Sequence, residues 1–162
     1  MPDTAAGLFS AIVSAPFGAV GVRVAGGTLQ ELCYLPAAYK EQRAADTFSA
    51  NIADQITAYL HDPDYPFDLP LPALGTVYQR KVWAVIHAIP RGAVLTFGEV
   101  ARRIASAPRA VGQACGANWF PLVIPCHRVT ASGGLGGFAR HDGGFHQEVK
   151  RWLLAHEGVT GF

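Results

Sequence analysis

The clearest chemical candidate in this 162-residue chain is Cys126-His127, inside the string Ile124-Pro125-Cys126-His127-Arg128-Val129. A thiolate is the reactive form of cysteine, and a nearby histidine or positive charge favours it. Adjacent residues of a regular strand point to opposite faces, so these two cooperate only in a turn or through a water. Taken alone, a Cys-His dipeptide is more often structural than catalytic. Cys33 and Cys115 complete an odd, sparse cysteine set with no CxxC pair and no Cys/His cluster at zinc spacing. The set reads as free thiols in a reducing cytosol. Cys33 and His61 alone are too few ligands for a metal site, so no metal is expected.

The elements that must position this pair follow from periodicity. Val20, Val22 and Val24 alternate as a strand, Gly26-Gly27 makes a turn, and residues 28–35 read as the returning strand. Ile52, Ile56, Tyr59 and Leu60 recur at helical spacing up to the stop His61-Asp62-Pro63. Pro63, Pro66, Pro70 and Pro72 then mark the best linker candidate. Beyond it, Val82, Val85, Ile86 and Ile89 form one helical face, ended by Pro90-Arg91-Gly92. Thr96 and Glu99 match a capping box, with Val100 and Ile104 as the buried face of a short helix. Pro108 suits the first turn of the next helix, which carries Val111, Ala114 and Cys115 inward. Two short helices joined by a tight turn form a helix-turn-helix pattern, a weak signal by itself. The second helix is lean, with Gly112, Ala114, Gly116 and Ala117. That leanness permits either close approach to another surface or tight internal packing. Arg109 at its start is either solvated or has an anionic or stacking partner. Phe120–Ile124 reads as a buried apolar run leading into Cys126.

Half of the residues are hydrophobic, which excludes a disordered or collagen-like chain. No apolar run reaches the roughly 18 residues that span a bilayer. The N-terminal stretch lacks a basic start and carries Asp3, so no signal peptide is expected. The net charge of +1 conceals a division: residues 1–74 carry three basic and eight acidic side chains, and residues 75–162 carry ten and four. A basic half favours a polyanion through counterion release. Uneven surface charge with no partner would give the same numbers. Length and charge together suggest two small domains, 1–74 and 75–162.

The strings YQRKVWAVIHAIPRG, TFGEVARRI, RAVGQA, NWFPLVIPCHRV and WLLAHEG, between about Tyr78 and Gly158, resemble the O6-alkylguanine-DNA alkyltransferase family. The first 74 residues are similar to it only loosely. The resemblance implies an α+β protein. A small N-terminal α/β domain with antiparallel strands (ribonuclease H-like) would accompany a mostly helical C-terminal domain with a helix-turn-helix. It implies direct-reversal DNA repair without a cofactor. One alkyl group passes irreversibly from O6-alkylguanine, or O4-alkylthymine, to Cys126. In this reading His127 acts through water on Cys126, Glu157 orients His127, and Asn118 bridges the recognition helix to the active-site turn. The implied partner is double-stranded DNA, entered through the minor groove with the damaged base flipped out. Thr96, Phe97, Arg109, Ala110, Gly112 and Gln113 would contact DNA, Arg109 filling the vacated stack. Pro121, Val129, Ser132, Gly137, Phe138 and Ala139 would line the base pocket, with the glycine-rich 132–138 segment as its flexible wall. No membrane is implied. A monomer is expected, with cooperativity on DNA left open, in the cytoplasm and on the nucleoid in a bacterium.

The chain departs from the family pattern in three places. Phe97 stands where a tyrosine is common, Trp119 follows Asn118 where proline is usual, and Ala139–Asp142 looks inserted. Three other readings compete. A lesion-binding protein without repair activity would typically lack the acceptor cysteine. A helix-turn-helix regulator would need major-groove reading side chains, which the lean helix lacks. A cysteine hydrolase would need an oxyanion hole, for which no residues stand out.

Overall fold

A computed structural model describes residues 8–138 and 144–162. The chain divides into two compact units between Pro72 and Ala73. The first holds a three-stranded antiparallel sheet in the order β1 (Ala11–Ala15), β2 (Gly18–Ala25), β3 (Thr28–Leu35). The β2–β3 turn is Gly26-Gly27, both at positive φ (57° and 73°), as the tight hairpin geometry requires. Ala19 to Val22 are buried in the central strand, while a bulge at Arg23/Val24 turns the strand end outward. Strand β1 carries no alternating signal and went unseen in the sequence. Helix α1 (Thr47–His61), capped by Asp46 accepting from the Ser49 N–H at 2.7 Å, lays Ile52, Ile56 and Tyr59 on the sheet.

The proline-rich segment is not a free linker along its whole length. The Gln55 side chain donates to Asp68 O (3.1 Å) and accepts from Asp68 N (2.8 Å). Phe67 packs on Tyr59 with ring centroids 5.4 Å apart. This part of the segment is therefore packed onto the first unit.

The second unit is helical. Helix α2 (Val77–His87) starts on a capping box, Thr76 with Gln79, and buries Val82, Trp83 and Ile86; the expected Val85 is only half-buried. The Trp83 indole N–H donates to Ala114 O (2.9 Å), fastening α2 to a later helix. Strand β4 (Leu95–Thr96) runs into helix α3 (Phe97–Arg103), where Thr96 and Glu99 close the expected capping box. Helix α4 (Pro108–Gly116) follows with proline in its first turn, burying Val111 and Ala114. A 3-10 turn (Cys126–Arg128), strand β5 (Val129–Thr130) and helix α5 (Phe145–His156) complete the unit. Strands β4 and β5 pair in parallel, Leu95 with Val129 and Thr96 with Thr130. This short ladder ties the start of α3 directly to the segment that leaves Cys126.

Candidate active site

The site is built around a turn. Pro125 sits at φ −81°, ψ 69°, and the Cys126 N–H donates to Ile124 O at 2.8 Å. That is an inverse γ-turn, whose φ the pyrrolidine ring presets. The chain then coils into the 3-10 turn Cys126–Arg128. Cys126 and His127 are thus adjacent residues of a turn, so the strand objection to their cooperation does not arise. Just upstream, Leu122 holds φ +74° with its side chain buried. A leucine in that region is strained by about 1–3 kcal/mol, which the surrounding packing must offset.

Asn118, two residues beyond helix α4, sews this turn in place. Its Nδ2 donates to Ile124 O (2.9 Å) and to Cys126 Sγ (3.2 Å), and its Oδ1 accepts from Phe120 N (2.9 Å). Its backbone N–H donates to Cys115 O (3.2 Å). One amide therefore links the end of α4, the Phe120–Ile124 run and the Cys126 sulfur. Trp119 projects into solvent, 44% exposed.

Behind the thiol lies a buried ionic triad. Glu157 caps α5 and is fully buried, and His127 is 1% exposed. His127 Nε2 lies 2.9 Å from Glu157 Oε2. Arg128 grips the same carboxylate twice, Nε to Oε1 at 2.8 Å and Nη2 to Oε2 at 2.9 Å, and its Nη1 donates to Ile89 O at 2.6 Å. Arg91 adds a hydrogen bond to Glu157 O (3.2 Å). A carboxylate only accepts, so His127 carries its proton on Nε2, and Nδ1 is left with its lone pair. Nδ1 is buried with no hydrogen-bond partner among the described residues. Burial is the main force holding the imidazole below its ordinary pKa. Glu157 opposes this, and the Arg128 and Lys150 charges reinforce it. The result is a neutral histidine with a fixed tautomer, the form a general base needs.

A second cation stands on the other side. Lys150 of α5 is fully buried and donates to Val129 O (2.7 Å) and Gly137 O (3.2 Å). Its ammonium lies 5.6 Å from the ring centroids of both Phe97 and Phe138. Burial pulls its pKa down to about 8, against the pull of the Cys115 and Cys126 thiols. Gln147, one turn earlier, donates to Gly136 O (2.8 Å). The glycine-rich segment is therefore tethered to α5 at two consecutive carbonyls. Gly136 suits its position: φ is +76°, and a Cβ there would sit 2.9 Å from Ala131 N and from the Phe97 ring.

The residues singled out from sequence fall into three groups. Cys126, His127, Glu157 and Asn118 converge as described. Val129, Gly137, Phe138 and Phe97 surround Lys150, whereas Ser132 is exposed on the glycine segment and Pro121 is half-buried upstream of the turn. Ala139 and the expected insertion through Asp142 lie outside the described residues. On α4, Arg109 and Gln113 are exposed, Ala110 is half-buried, and open space faces Gly112, where an added Cβ would meet nothing within 4 Å; Thr96, which caps α3, is half-buried. Sequence reasoning missed Arg128, Lys150 and the part Cys115 plays. Arg128 sits inside the very string that drew attention, and a basic residue beside a buried Glu-His pair was the available signal.

Comparison with known proteins adds an independent line. Residues 77–159 match the family model described as 6-O-methylguanine DNA methyltransferase, DNA binding domain. A methylated-DNA–protein-cysteine methyltransferase of Methanothermobacter thermautotrophicus is 43% identical over 67% of this chain; the match spans 61% of that protein's own length. The protein of that name from Mycobacterium bovis is 36% identical over 90% of this chain and 89% of its own. The crystal structure of Mycobacterium tuberculosis OGT in complex with DNA superposes with a TM-score of 0.73 at 33% identity, covering 90% of each chain. With its second unit matched almost end to end and a relative aligned along nearly the whole length, the chain belongs to the methylated-DNA–protein-cysteine methyltransferase family.

Proposed function

We propose that this protein repairs DNA by direct reversal, taking one alkyl group from O6-alkylguanine, or O4-alkylthymine, onto Cys126. The observation that carries the reading is the arrangement at the turn. A buried sulfur accepts from Asn118, and beside it stands a neutral histidine whose only protonated nitrogen is committed to Glu157. A thiolate accepts such hydrogen bonds better than a thiol does. In the transfer, the Cys126 proton passes through water toward His127 Nδ1, and the sulfur attacks the alkyl carbon. The S–C bond forms as the C–O6 bond breaks, its electron pair goes to O6, and a returned proton restores guanine. A thioether is a poor leaving group, so the protein acts once, and the chemistry calls on no cofactor.

In this reading residues 75–162 do the work, residues 1–74 are a companion domain of ribonuclease H-like kind, and α3–α4 is a helix-turn-helix entering the minor groove. The open face at Gly112 suits a narrow groove, with exposed Arg109 placed to fill the stack vacated by the flipped base. Thr96, Phe97, Ala110 and Gln113 contribute the flanking contacts. Val129, Gly137 and Phe138, with Pro121, Ser132 and Ala139, wall the base pocket. Phe97 keeps a ring against the base without the hydroxyl that a tyrosine would offer. The protein works as a monomer in the cytoplasm, on the nucleoid in a bacterial cell.

The test is peptide mass spectrometry after incubation with duplex DNA carrying O6-methylguanine. One methylene added at Cys126, once per molecule, is expected. Cys126→Ser should bind the same DNA and transfer nothing, and methyl transfer by that variant would end the proposal.

A further inference from the structure

Two of the three cysteines meet at the site, and the repair chemistry uses only one. Cys115 occupies the last turn of α4, half-buried, and Cys126 starts the 3-10 turn. Asn118 holds the two segments together, with its backbone N–H on Cys115 O (3.2 Å) and its amide on Cys126 Sγ (3.2 Å). The two thiols are close enough for Cys126 to be the main influence on the Cys115 thiol. Lys150 is close enough to feel the charge of both sulfurs. The third thiol, Cys33, lies in β3 of the other unit.

We infer that Cys115 is a resolving thiol for an oxidised Cys126, closing an intramolecular disulfide that shelters the acceptor sulfur from irreversible oxidation. The reaction with a peroxide balances in two steps. The Cys126 thiolate attacks one peroxide oxygen, the O–O bond breaks, and hydroxide leaves, giving a sulfenic acid. Cys115 sulfur then attacks Cys126 sulfur, the S–O bond breaks, and water leaves with the Cys115 proton. Two thiols are oxidised by two electrons and one peroxide is reduced to water. The contact also sets the order of events. The Cys115 pKa is raised well above its ordinary value, first by the Cys126 side chain beside it, then by burial and by the charge of Cys126. It is therefore the poorer first nucleophile. Oxidation of Cys126 removes that charge and frees Cys115 to attack, with the Lys150 ammonium at hand to favour its thiolate. A sulfenic acid without such a neighbour proceeds to the sulfinic acid, which ordinary thiols do not reverse. The inference rests on the proposed function only in naming Cys126 as the sulfur worth sheltering.

The experiment uses the full-length chain without DNA, treated with hydrogen peroxide, blocked with iodoacetamide and digested without reduction. A linked Cys115–Cys126 peptide is expected, with the intact mass lower by two hydrogens. Alkyl-accepting capacity should fall in step with the linked fraction and return with dithiothreitol. In Cys115→Ser, Cys126 should gain two oxygens and stay inactive after dithiothreitol; Cys115→Ala repeats the arm if the serine variant does not fold. Wild-type protein that forms the Cys126 sulfinic acid while Cys115 remains open to iodoacetamide, or that links through Cys33, overturns the inference. Alkyl transfer by the fully reduced protein is scored separately. A linked peptide in a protein that transfers no alkyl group would sink the proposed function and leave the disulfide standing.

Discussion

Removing Arg128 should damage this protein in two separable ways. Arg128 supplies two charge-assisted hydrogen bonds to the buried Glu157 carboxylate, and a third bond to Ile89 O. Arg128→Ala leaves a carboxylate with no exposed surface and without its two-pronged guanidinium grip. Breaking a buried ion pair from one side costs about 3–5 kcal/mol, because the partner's desolvation is no longer offset. With a urea dependence of about 2 kcal/mol per molar, the unfolding midpoint should drop by about 2 M. Arg128→Lys keeps the charge but cannot make the two-pronged grip, and its loss should be smaller. The second effect is on His127. Arg128 helps to hold the imidazole neutral and Glu157 pulls the other way. Without Arg128 the pull of Glu157 is unopposed on that side, so the His127 pKa rises. The acid limb of the transfer-rate profile should then move to higher pH. The check is a double-mutant cycle with Glu157→Gln, read by urea melts and by single-turnover transfer against pH. Adding Glu157→Gln to Arg128→Ala should recover about 2 kcal/mol, since the buried carboxylate that lost its guanidinium is then neutral. A loss below about 1 kcal/mol in Arg128→Ala, the range of an exposed surface pair, would refute the argument.

Four further outcomes follow from the same geometry. Asn118→Ala removes three side-chain hydrogen bonds around the turn; it should slow transfer more than ten-fold, by about 1.4 kcal/mol of barrier, while leaving DNA binding nearly unchanged. Arg109→Ala should slow repair of duplex DNA far more than transfer from free O6-benzylguanine, and equal losses would exclude a flipping role. Gly136→Ala should cost about 1–3 kcal/mol in a urea melt, since it forces both a positive φ and two 2.9 Å contacts. Lys150 has a folded pKa of about 8 against an ordinary 10.5. The unfolded chain therefore binds more protons between those values, and the burial penalty is relieved as pH rises through that window. Relative to Lys150→Met, wild-type stability should climb from pH 8 to 10.5 and stay flat below; a flat difference throughout would show that Lys150 is not held down.

Wherever a signal is local, the sequence reading and the structure meet. The capping box at Thr96 and Glu99, the Gly26-Gly27 hairpin and the Pro108 helix start each depend on residues within four positions of one another. The PCHRV string marks the acceptor turn for the same reason, since proline presets the φ that the inverse γ-turn needs. What stayed hidden depends on distance along the chain. Lys150 reaches back to Val129, Arg128 to Ile89, and Trp83 to Ala114, and no periodicity encodes such pairings. Two short strands, Leu95–Thr96 and Val129–Thr130, were invisible because two residues carry no alternation, yet they join the α3–α4 pair to the acceptor turn.

The charge division takes on physical meaning at this point. The basic half does not spend all of its charge on a polyanion. Arg128 and Lys150 are turned inward, one neutralising Glu157 and one facing the two thiols. Arg102, Arg103 and Arg109 remain exposed on α3 and α4. Phosphate neutralisation by the α3–α4 pair should therefore be read from that second set. Removing each of those three arginines should lower the salt dependence of DNA binding by about one unit of slope, as expected for one phosphate contact apiece. Arg128→Lys and Lys150→Met, which change no exposed charge, should leave the slope where it is. If the inward cations moved the slope as strongly as the outward ones, the division of labour drawn here between ion-paired core and DNA-facing surface would be wrong.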